Sequence, residues 1–190
     1  MRKIVWSLFA LVVLLLAAVV HWSLPSHDIV RVLGIDVVRQ QVVGTNERGE
    51  EVTRSRDIRY INTVTQTGQP RVYRNQDTGW GWPPYFKHNS ADLAARAQDM
   101  ISGEDEPRWM VVTSYGWRLQ WFSMFPNAVS IHRVDGPDVT VIPWVNIVVW
   151  VLFIAAFFYL GLRLRNFMAA RDAKANAKAN ANADRVARTA

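Results

Sequence analysis

The sequence predicts a membrane-anchored α+β protein in which two transmembrane helices flank a mainly-β domain. Three observations predict this class. Long apolar runs lie near both ends of the chain, basic residues lie on the terminal side of each run, and the segment between the runs is rich in β-branched residues. A chain of 190 residues has room for about one globular domain, so we expect a single domain between the helices.

The first apolar run predicts a transmembrane helix over residues 4–22, after a cytoplasmic N-terminus of residues 1–3. The run contains no Lys, Arg, Asp or Glu, and a helix crosses a bilayer with about 20 apolar residues. A cleaved signal peptide has a shorter apolar region that ends in a small-x-small site. Because no good site of this kind lies near His21 and Trp22, we predict an uncleaved anchor.

The second apolar run predicts a transmembrane helix over residues 141–162. Pro143 is tolerated in a first helical turn, and Trp144 suits a membrane interface. Asn146 is the strongly polar residue inside this run. Two interpretations of Asn146 stay open. It either makes an intramembrane polar contact with the first helix or a partner subunit, or it lies at headgroup depth near the helix start.

Basic residues beside both runs predict the orientation. Arg2 and Lys3 precede the first run, and several Arg and Lys residues follow the second. Positively charged flanks stay in the cytoplasm, so both termini are predicted to be cytoplasmic, with residues 27–139 on the outer side. This outer segment contains 13 basic and 14 acidic residues, so the net charge of +6 resides in the terminal segments.

The tail over residues 163–190 is basic and rich in alanine and asparagine. Anionic lipid headgroups attract basic residues by about 1 kcal/mol each when these lie close to the surface. We therefore expect the tail to contact headgroups of the lipid bilayer on the cytoplasmic side. No nucleic-acid partner is expected, because residues 173–183 contain no aromatic side chain that could stack on bases.

The outer domain is predicted to be mainly β-structure with one helix. Alternation and β-branched residues favour strands, and Asn89 or Ser90 followed by Asp92 is typical of a helix start. The predicted strands cover residues 29–43, 51–65, 71–75, 108–114 and 128–134, and the helix covers about 90–102. A helix between strands three and four matches a five-stranded OB-like barrel. A small α+β sandwich is equally compatible.

The sequence contains no recognisable catalytic, cofactor-binding or metal-binding motif. The absence of cysteine excludes disulfides, thiolate metal sites and cysteine nucleophiles. Asp77, His88 and Ser114 could be drawn as a hydrolase triad, but any chain of this length offers such a combination. We therefore predict a protein that is not an enzyme, with no catalytic residue, no cofactor and no metal ion.

An aromatic loop over residues 73–87, YRNQDTGWGWPPYFK, is the most unusual stretch of the chain. Tryptophan and tyrosine are enriched at binding hot spots, so this loop is the candidate surface for docking a partner or a ligand. The candidate docking residues are Arg74, Asp77, Trp80, Trp82, Tyr85, Phe86 and Lys87. Packing in the domain core and contact with the outer membrane surface stay open as alternatives. A second aromatic group, which could pack against this loop, contains Tyr115, Trp117, Trp121, Phe122 and Phe125.

Four stretches of the chain resemble an uncharacterised bacterial family. They read VYRNQDTGWGWPPYFK (72–87), WMVVTSYGWR (109–118), FPNAVSI (125–131) and GPDVTVIPWVNI (136–147). The chain is similar to the DUF1523 family, a domain of unknown function, over nearly its whole length except the tail. The resemblance implies a protein of the bacterial inner membrane with two membrane helices, so that residues 27–139 form a periplasmic domain. It implies no activity, because the family offers no catalytic residues to transfer.

We therefore expect a non-enzymatic inner-membrane protein whose periplasmic domain docks onto a partner. The partner would be another inner-membrane or periplasmic protein, with this chain as an accessory or assembly subunit of a larger membrane complex. The alternative is a periplasmic ligand-binding or sensing module that uses the loop of Trp80 and Trp82.

Overall fold

A computed structural model describes residues 2–45 and 51–189, with side chains described except at 42–45, 52, 54, 56, 179 and 182–189. The helices are α1 (Arg2–Ser23), α2 (Ser90–Asp99) and α3 (Trp144–Thr189). The strands are β1 (Ser26–Thr45), β2 (Glu51–Thr65), β3 (Pro70–Asn75), β4 (Trp109–Tyr115) and β5 (Asn127–Arg133). A short 3₁₀ helix, Gln120–Phe122, lies between β4 and β5. The chain divides into a helical unit, Met1–Ala18 with Asn146–Ala190, and a barrel unit, Val19–Val145.

The helical unit consists of two long apolar helices. Both α1 and the first part of α3, Trp144–Lys178, are long and apolar enough to cross a membrane by length and composition. Within the unit, the ring of Phe9 lies 6.3 Å from that of Phe157, and it also packs beside Gly161. Most of the apolar side chains are exposed. α3 begins at Trp144, three residues after the predicted start at residue 141, and continues as a helix well beyond residue 162, through the basic tail.

The barrel unit is a closed five-stranded barrel with strand order β1-β2-β3-β5-β4. All neighbouring strands are antiparallel except β3 and β5, which meet in a parallel bridge at Arg74 and Asn127. The predicted order of three strands, a helix and two further strands is confirmed, and the sheet closes as a barrel rather than a sandwich. The register of β1 shifts between Val32 and Gly34, as at a β-bulge.

Alternating side chains of the strands form the barrel core, and α2 covers one side of it. Leu93 and Ala97 are the buried apolar residues of α2, and their spacing of four residues places them on the same face of the helix. They join a cluster that contains Val30, Val32, Ile61, Tyr73, Met110, Val112, Ala128 and Ile131. The Tyr73 hydroxyl donates a 2.7 Å hydrogen bond to Asp28, and burial raises the pKa of Tyr73 well above its usual range.

β1 and β2 extend beyond the barrel as a two-stranded arm. Their pairing continues from Val37 and Arg59 to Thr45 and Glu51, whereas the pairing of β2 with β3 stops at Arg59. The side chains of Val37 and Val38 are exposed on this arm. Residues 46–50, which connect the two strands in the sequence, lie outside the described residues.

Candidate functional site

The loop between β3 and α2 contains the aromatic residues singled out from the sequence. Its two ends are held together because the backbone N–H groups of Thr78 and Gly79 donate to the carbonyl of Lys87, at 3.1 and 3.3 Å. Gly79 and Phe86 both have positive φ, at 53° and 48°. A positive φ is uncommon for a bulky residue such as phenylalanine, so the loop has a specific, tightly defined path.

A polar network joins the base of this loop to the start of α2. Asp77 accepts hydrogen bonds from the N–H of Ser90 at 2.9 Å and from its hydroxyl at 2.8 Å. Burial would raise the pKa of Asp77, but these hydrogen bonds and the nearby cation of Lys87 outweigh it and lower the pKa below its usual value. Asp77 therefore stabilises the first turn of α2, as a carboxylate near a helix N-terminus does.

Lys87 lies inside this network rather than on the surface. It is 3% exposed, and its ammonium donates to the side-chain oxygen of Asn75. Asn75 in turn donates to the carbonyl of Ser90 at 2.8 Å. Burial lowers the pKa of Lys87 to about 8, although Asp77 opposes this effect. Lys87 thus holds the loop base and presents no charge on the surface.

The tip of the loop exposes three aromatic side chains. Trp80 is 87% exposed, Trp82 66% and Phe86 51%. The rings of Trp80 and Phe86 pack edge to face, with centroids 5.3 Å apart. These three residues are therefore accessible, as a docking surface requires.

The loop is fastened to the residues that end α1. The indole N–H of Trp82 donates to the Ser23 hydroxyl at 2.9 Å, and the Tyr85 hydroxyl donates to the Ser23 carbonyl at 2.7 Å. Tyr85 also stacks on Tyr115, with ring centroids 4.9 Å apart, and its burial raises its pKa to about 12. Trp22 packs its ring edge to face on Tyr115 as well. The predicted packing of the second aromatic group against the aromatic loop is thus confirmed through Tyr85 and Tyr115.

The loop between β4 and β5, residues 116–126, forms a second aromatic loop. Trp117 donates its indole N–H to His21 at 2.9 Å, so this loop also contacts the end of α1. Trp121 and Phe122 lie on the short 3₁₀ helix and are 96% and 76% exposed. Both aromatic loops therefore combine fixed anchors near residues 21–23 with exposed rings.

A pocket of about 370 Å³ lies between these two loops. Of the predicted docking residues, Arg74 and Asp77 line it, whereas the other five do not. Its lining also includes Tyr60, Gln76, Phe125 and Asn127. The Nε of Arg74 and the Nε2 of Gln76 are buried and have no hydrogen-bond partner among the described residues. Gln76 was not predicted as a site residue, although its position two residues after Arg74 in an extended segment is the signal that could have identified it.

Two residues of the candidate hydrolase triad, Asp77 and Ser114, form hydrogen bonds with residues outside the triad. Ser114 is fully buried and lies 3.1 Å from the hydroxyl of Ser26, Asp77 bonds to Ser90, and His88 is exposed. Asn146 lies near the start of α3 and is partly buried. Its role as an intramembrane polar contact stays a prediction.

The fold and site define a class of protein with a closed five-stranded barrel and two exposed aromatic loops. In the sequence, one apolar helix precedes the barrel and another follows it. Residues 1–168 match the family described as "Protein of unknown function (DUF1523)", and the chain belongs to this family. The resemblance noted in the sequence is thereby confirmed. An "Uncharacterized protein" of Haemophilus influenzae is 36% identical over 142 residues, which cover 74% of this chain and 80% of that protein. No solved structure matches the chain.

Proposed function

We propose that this chain is a non-enzymatic protein of the bacterial inner membrane, with cytoplasmic termini and a periplasmic barrel that docks onto a partner protein. It acts as an accessory or assembly subunit of a larger membrane complex. Support for the membrane placement comes from the length and apolar composition of α1 and α3 and from the basic residues on their terminal sides. The further partners are the lipid bilayer and anionic headgroups at the basic tail.

The observation that carries the docking proposal is the exposure of large aromatic side chains on both loops. Trp121 and Trp80 are 96% and 87% exposed. Tryptophan contributes strongly to binding when a partner covers it, and burying one removes a large apolar area from water. Exposure on this scale is therefore typical of an interaction site.

The loops are also held in place before any partner arrives. Trp82 is fixed by its hydrogen bond to Ser23, and Trp117 by its hydrogen bond to His21. A surface that is already ordered loses less conformational entropy on binding.

The position of the anchors suggests what kind of protein the partner is. Residues 21–23 end the first predicted membrane helix, so loops fastened there lie close to the outer face of the bilayer if that helix spans it. A protein that covers the loops must then have a periplasmic segment beside the membrane. We therefore propose an integral membrane protein as the partner.

Site-specific photo-crosslinking in cells tests this proposal. The photoreactive residue p-benzoyl-phenylalanine replaces Trp121 in one strain and Trp80 in another, with the chain at its native expression level. Both positions are expected to give a crosslinked product with a defined integral membrane protein. Mass spectrometry of that product should locate the crosslink in a periplasmic segment of the partner.

His132 is the matched control, because it is also exposed in the barrel unit but lies on β5 away from both loops. The same photoreactive residue at position 132 is expected to give no product with that partner. Crosslinks from positions 80 and 121 to lipid alone would contradict docking and assign the loops to the membrane surface. Equal products from all three positions would also contradict it.

A further inference from the structure

The pocket between the two aromatic loops contains polar groups that the fold itself does not use. Tyr73 and Asn75 point into the barrel and are almost fully buried. Because successive side chains of an extended chain point to opposite sides, Arg74 and Gln76 point the other way, and both line the pocket. The sequence of β3 therefore separates a core face from a pocket face.

The backbone beneath Arg74 and Gln76 is held rigidly by the start of β5. Asn127 accepts from the N–H of Gln76 at 2.9 Å and donates to the Gln76 carbonyl at 3.0 Å. The N–H of Arg74 donates to the carbonyl of Pro126 at 2.8 Å. These bonds satisfy the backbone and leave both side chains available to a ligand.

One donor atom of each side chain has no acceptor among the described residues. The Nε of Arg74 and the Nε2 of Gln76 are buried and unpartnered within the described part of the chain. Buried donors are nearly always hydrogen-bonded in native proteins, and neither of these atoms can act as an acceptor. A bound group with at least two acceptor oxygens would satisfy them, and arginine binds carboxylates and phosphates through paired hydrogen bonds.

The walls of the pocket are aromatic. Tyr60 and Phe125 pack edge to face with centroids 5.2 Å apart, and Trp22, Trp117 and Phe122 also line the space. Aromatic walls suit a flat or cyclic ligand, since rings stack on aromatic faces. A volume of about 370 Å³ falls in the range of small-molecule sites and far below what a folded segment needs.

Asp77 restricts the charge of the ligand. Asp77 lines the same pocket, and its hydrogen bonds from Ser90 lower the pKa of its carboxyl. Arg74 and Asp77 balance each other, so a monocarboxylate gives the pocket one net negative charge and a doubly charged phosphate gives it two. Asp77 therefore repels a monocarboxylate less than it repels a doubly charged phosphate. The carboxylate of Asp77 could also accept a hydrogen bond from a hydroxyl or amino group of the ligand.

The geometry points to a binding site for a small cyclic monocarboxylate, with its carboxylate held by Arg74 and Gln76 and its ring against the aromatic walls. Trp80 and Trp121, the exposed residues on which docking is tested, do not line this pocket, whereas Phe122 is exposed and also lines it.

Ligand-observed ¹⁹F NMR on the full chain in detergent micelles tests this site. The probe is 4-fluorobenzoate, and the neutral isostere 4-fluorobenzamide controls for partition into micelles. The carboxylate is expected to show line broadening and to bind at least about tenfold more tightly than the amide, since it alone supplies a charged acceptor to Arg74. Stronger binding of 4-fluorophenyl phosphate than of the carboxylate would overturn the assignment.

Two arginines of β3 provide matched variants. Arg74→Gln is expected to weaken 4-fluorobenzoate binding by at least about tenfold. Arg71→Gln removes an exposed arginine of the same strand that does not line the pocket and should leave binding within about twofold. Equal affinities for the two variants, or equal affinities of the wild-type chain for acid and amide, would overturn the proposal.

A measurement on the wild-type chain covers the case in which Arg74→Gln does not fold. The indole N–H signals of Trp22 and Trp117 should shift when 4-fluorobenzoate is added, because both residues line the pocket. Those of Trp80 and Trp82, which lie outside its lining, should stay in place. Shifts confined to Trp80 and Trp82 would place the binding on the exposed loop and overturn the pocket site.

Discussion

Polar side chains on β3 and the residue after it alternate between the core face and the pocket face. The two faces differ in how completely their buried donors and acceptors are hydrogen-bonded. Asn75, on the core side, accepts from Lys87 and donates to Ser90. Arg74 and Gln76, on the pocket side, hold buried donor atoms that no described residue pairs. Burying a polar group is unfavourable in either place unless it is hydrogen-bonded. The core set therefore belongs to folding, whereas the pocket set is explained better by binding.

The largest expected effect tests the core side of this comparison. Asn75→Ala removes the acceptor of the buried Lys87 ammonium and leaves the Ser90 carbonyl without its side-chain donor. Loss of a partner from a buried charged group costs about 3 kcal/mol. We expect the free energy of unfolding of the barrel to fall by roughly this amount, measured by denaturant titration in micelles with circular dichroism.

Gln76→Ala is the control for this variant, because it removes a polar side chain of the pocket face that has an unpartnered donor among the described residues. Its free energy of unfolding should stay within about 0.5 kcal/mol of the wild-type value. Equal losses for the two variants would show that the two faces do not differ in the way proposed.

An intermediate effect comes from the titration of Lys87. Burial lowers its folded-state pKa to about 8 from the ordinary value of 10.5, so above pH 8 the unfolded chain binds more protons than the folded chain. The free energy of unfolding therefore rises with pH in this window, by at most about 1.4 kcal/mol per pH unit. We expect an increase of about 1.5 kcal/mol between pH 8 and pH 9.5 that is absent in Lys87→Met.

The upper limit of this window is set by tyrosine. The pKa of Tyr85 is raised to about 12 by burial, so above pH 10 the unfolded chain loses its proton first and stability falls again. A wild-type profile that is flat or falls between pH 8 and pH 9.5 would contradict the burial of a titrating Lys87. A rise of the same size in Lys87→Met would assign the effect to another group.

Much of the fold follows from local sequence pattern. The apolar runs predict the cores of α1 and α3, alternation predicts β2 over 51–65, and helical spacing predicts that Leu93 and Ala97 face the core of the barrel. These features depend on neighbouring residues, which a single sequence displays directly. The continuation of α3 to Thr189 is consistent with the helix propensity of alanine and lysine in its tail.

The candidate site was harder to predict from the sequence than the fold, because it depends on contacts between segments that are distant in the chain. Lys87 looks like a surface cation in the sequence, and only its contact with Asn75 across the loop explains its burial. The pocket arises because β3 meets β5 at Arg74 and Asn127, which lie far apart in the chain. No local pattern predicts such a parallel bridge. Composition did identify both aromatic groups, but it could not distinguish exposed rings such as Trp80 from anchored ones such as Tyr85.

The smallest expected effect on stability comes from Arg74, on the pocket face of β3. It tests whether this face, unlike the core face, serves binding and not folding. Arg74→Met removes the guanidinium but keeps an unbranched side chain that can cover the same apolar surface. If Arg74 serves binding, its buried donor contributes nothing to folding, and removing it relieves a desolvation cost. The free energy of unfolding should then stay within about 0.5 kcal/mol of wild type or rise slightly, measured as for Asn75→Ala. A loss of about 2 kcal/mol or more would mean that the arginine supports the barrel, and the two faces of β3 would then share one structural role.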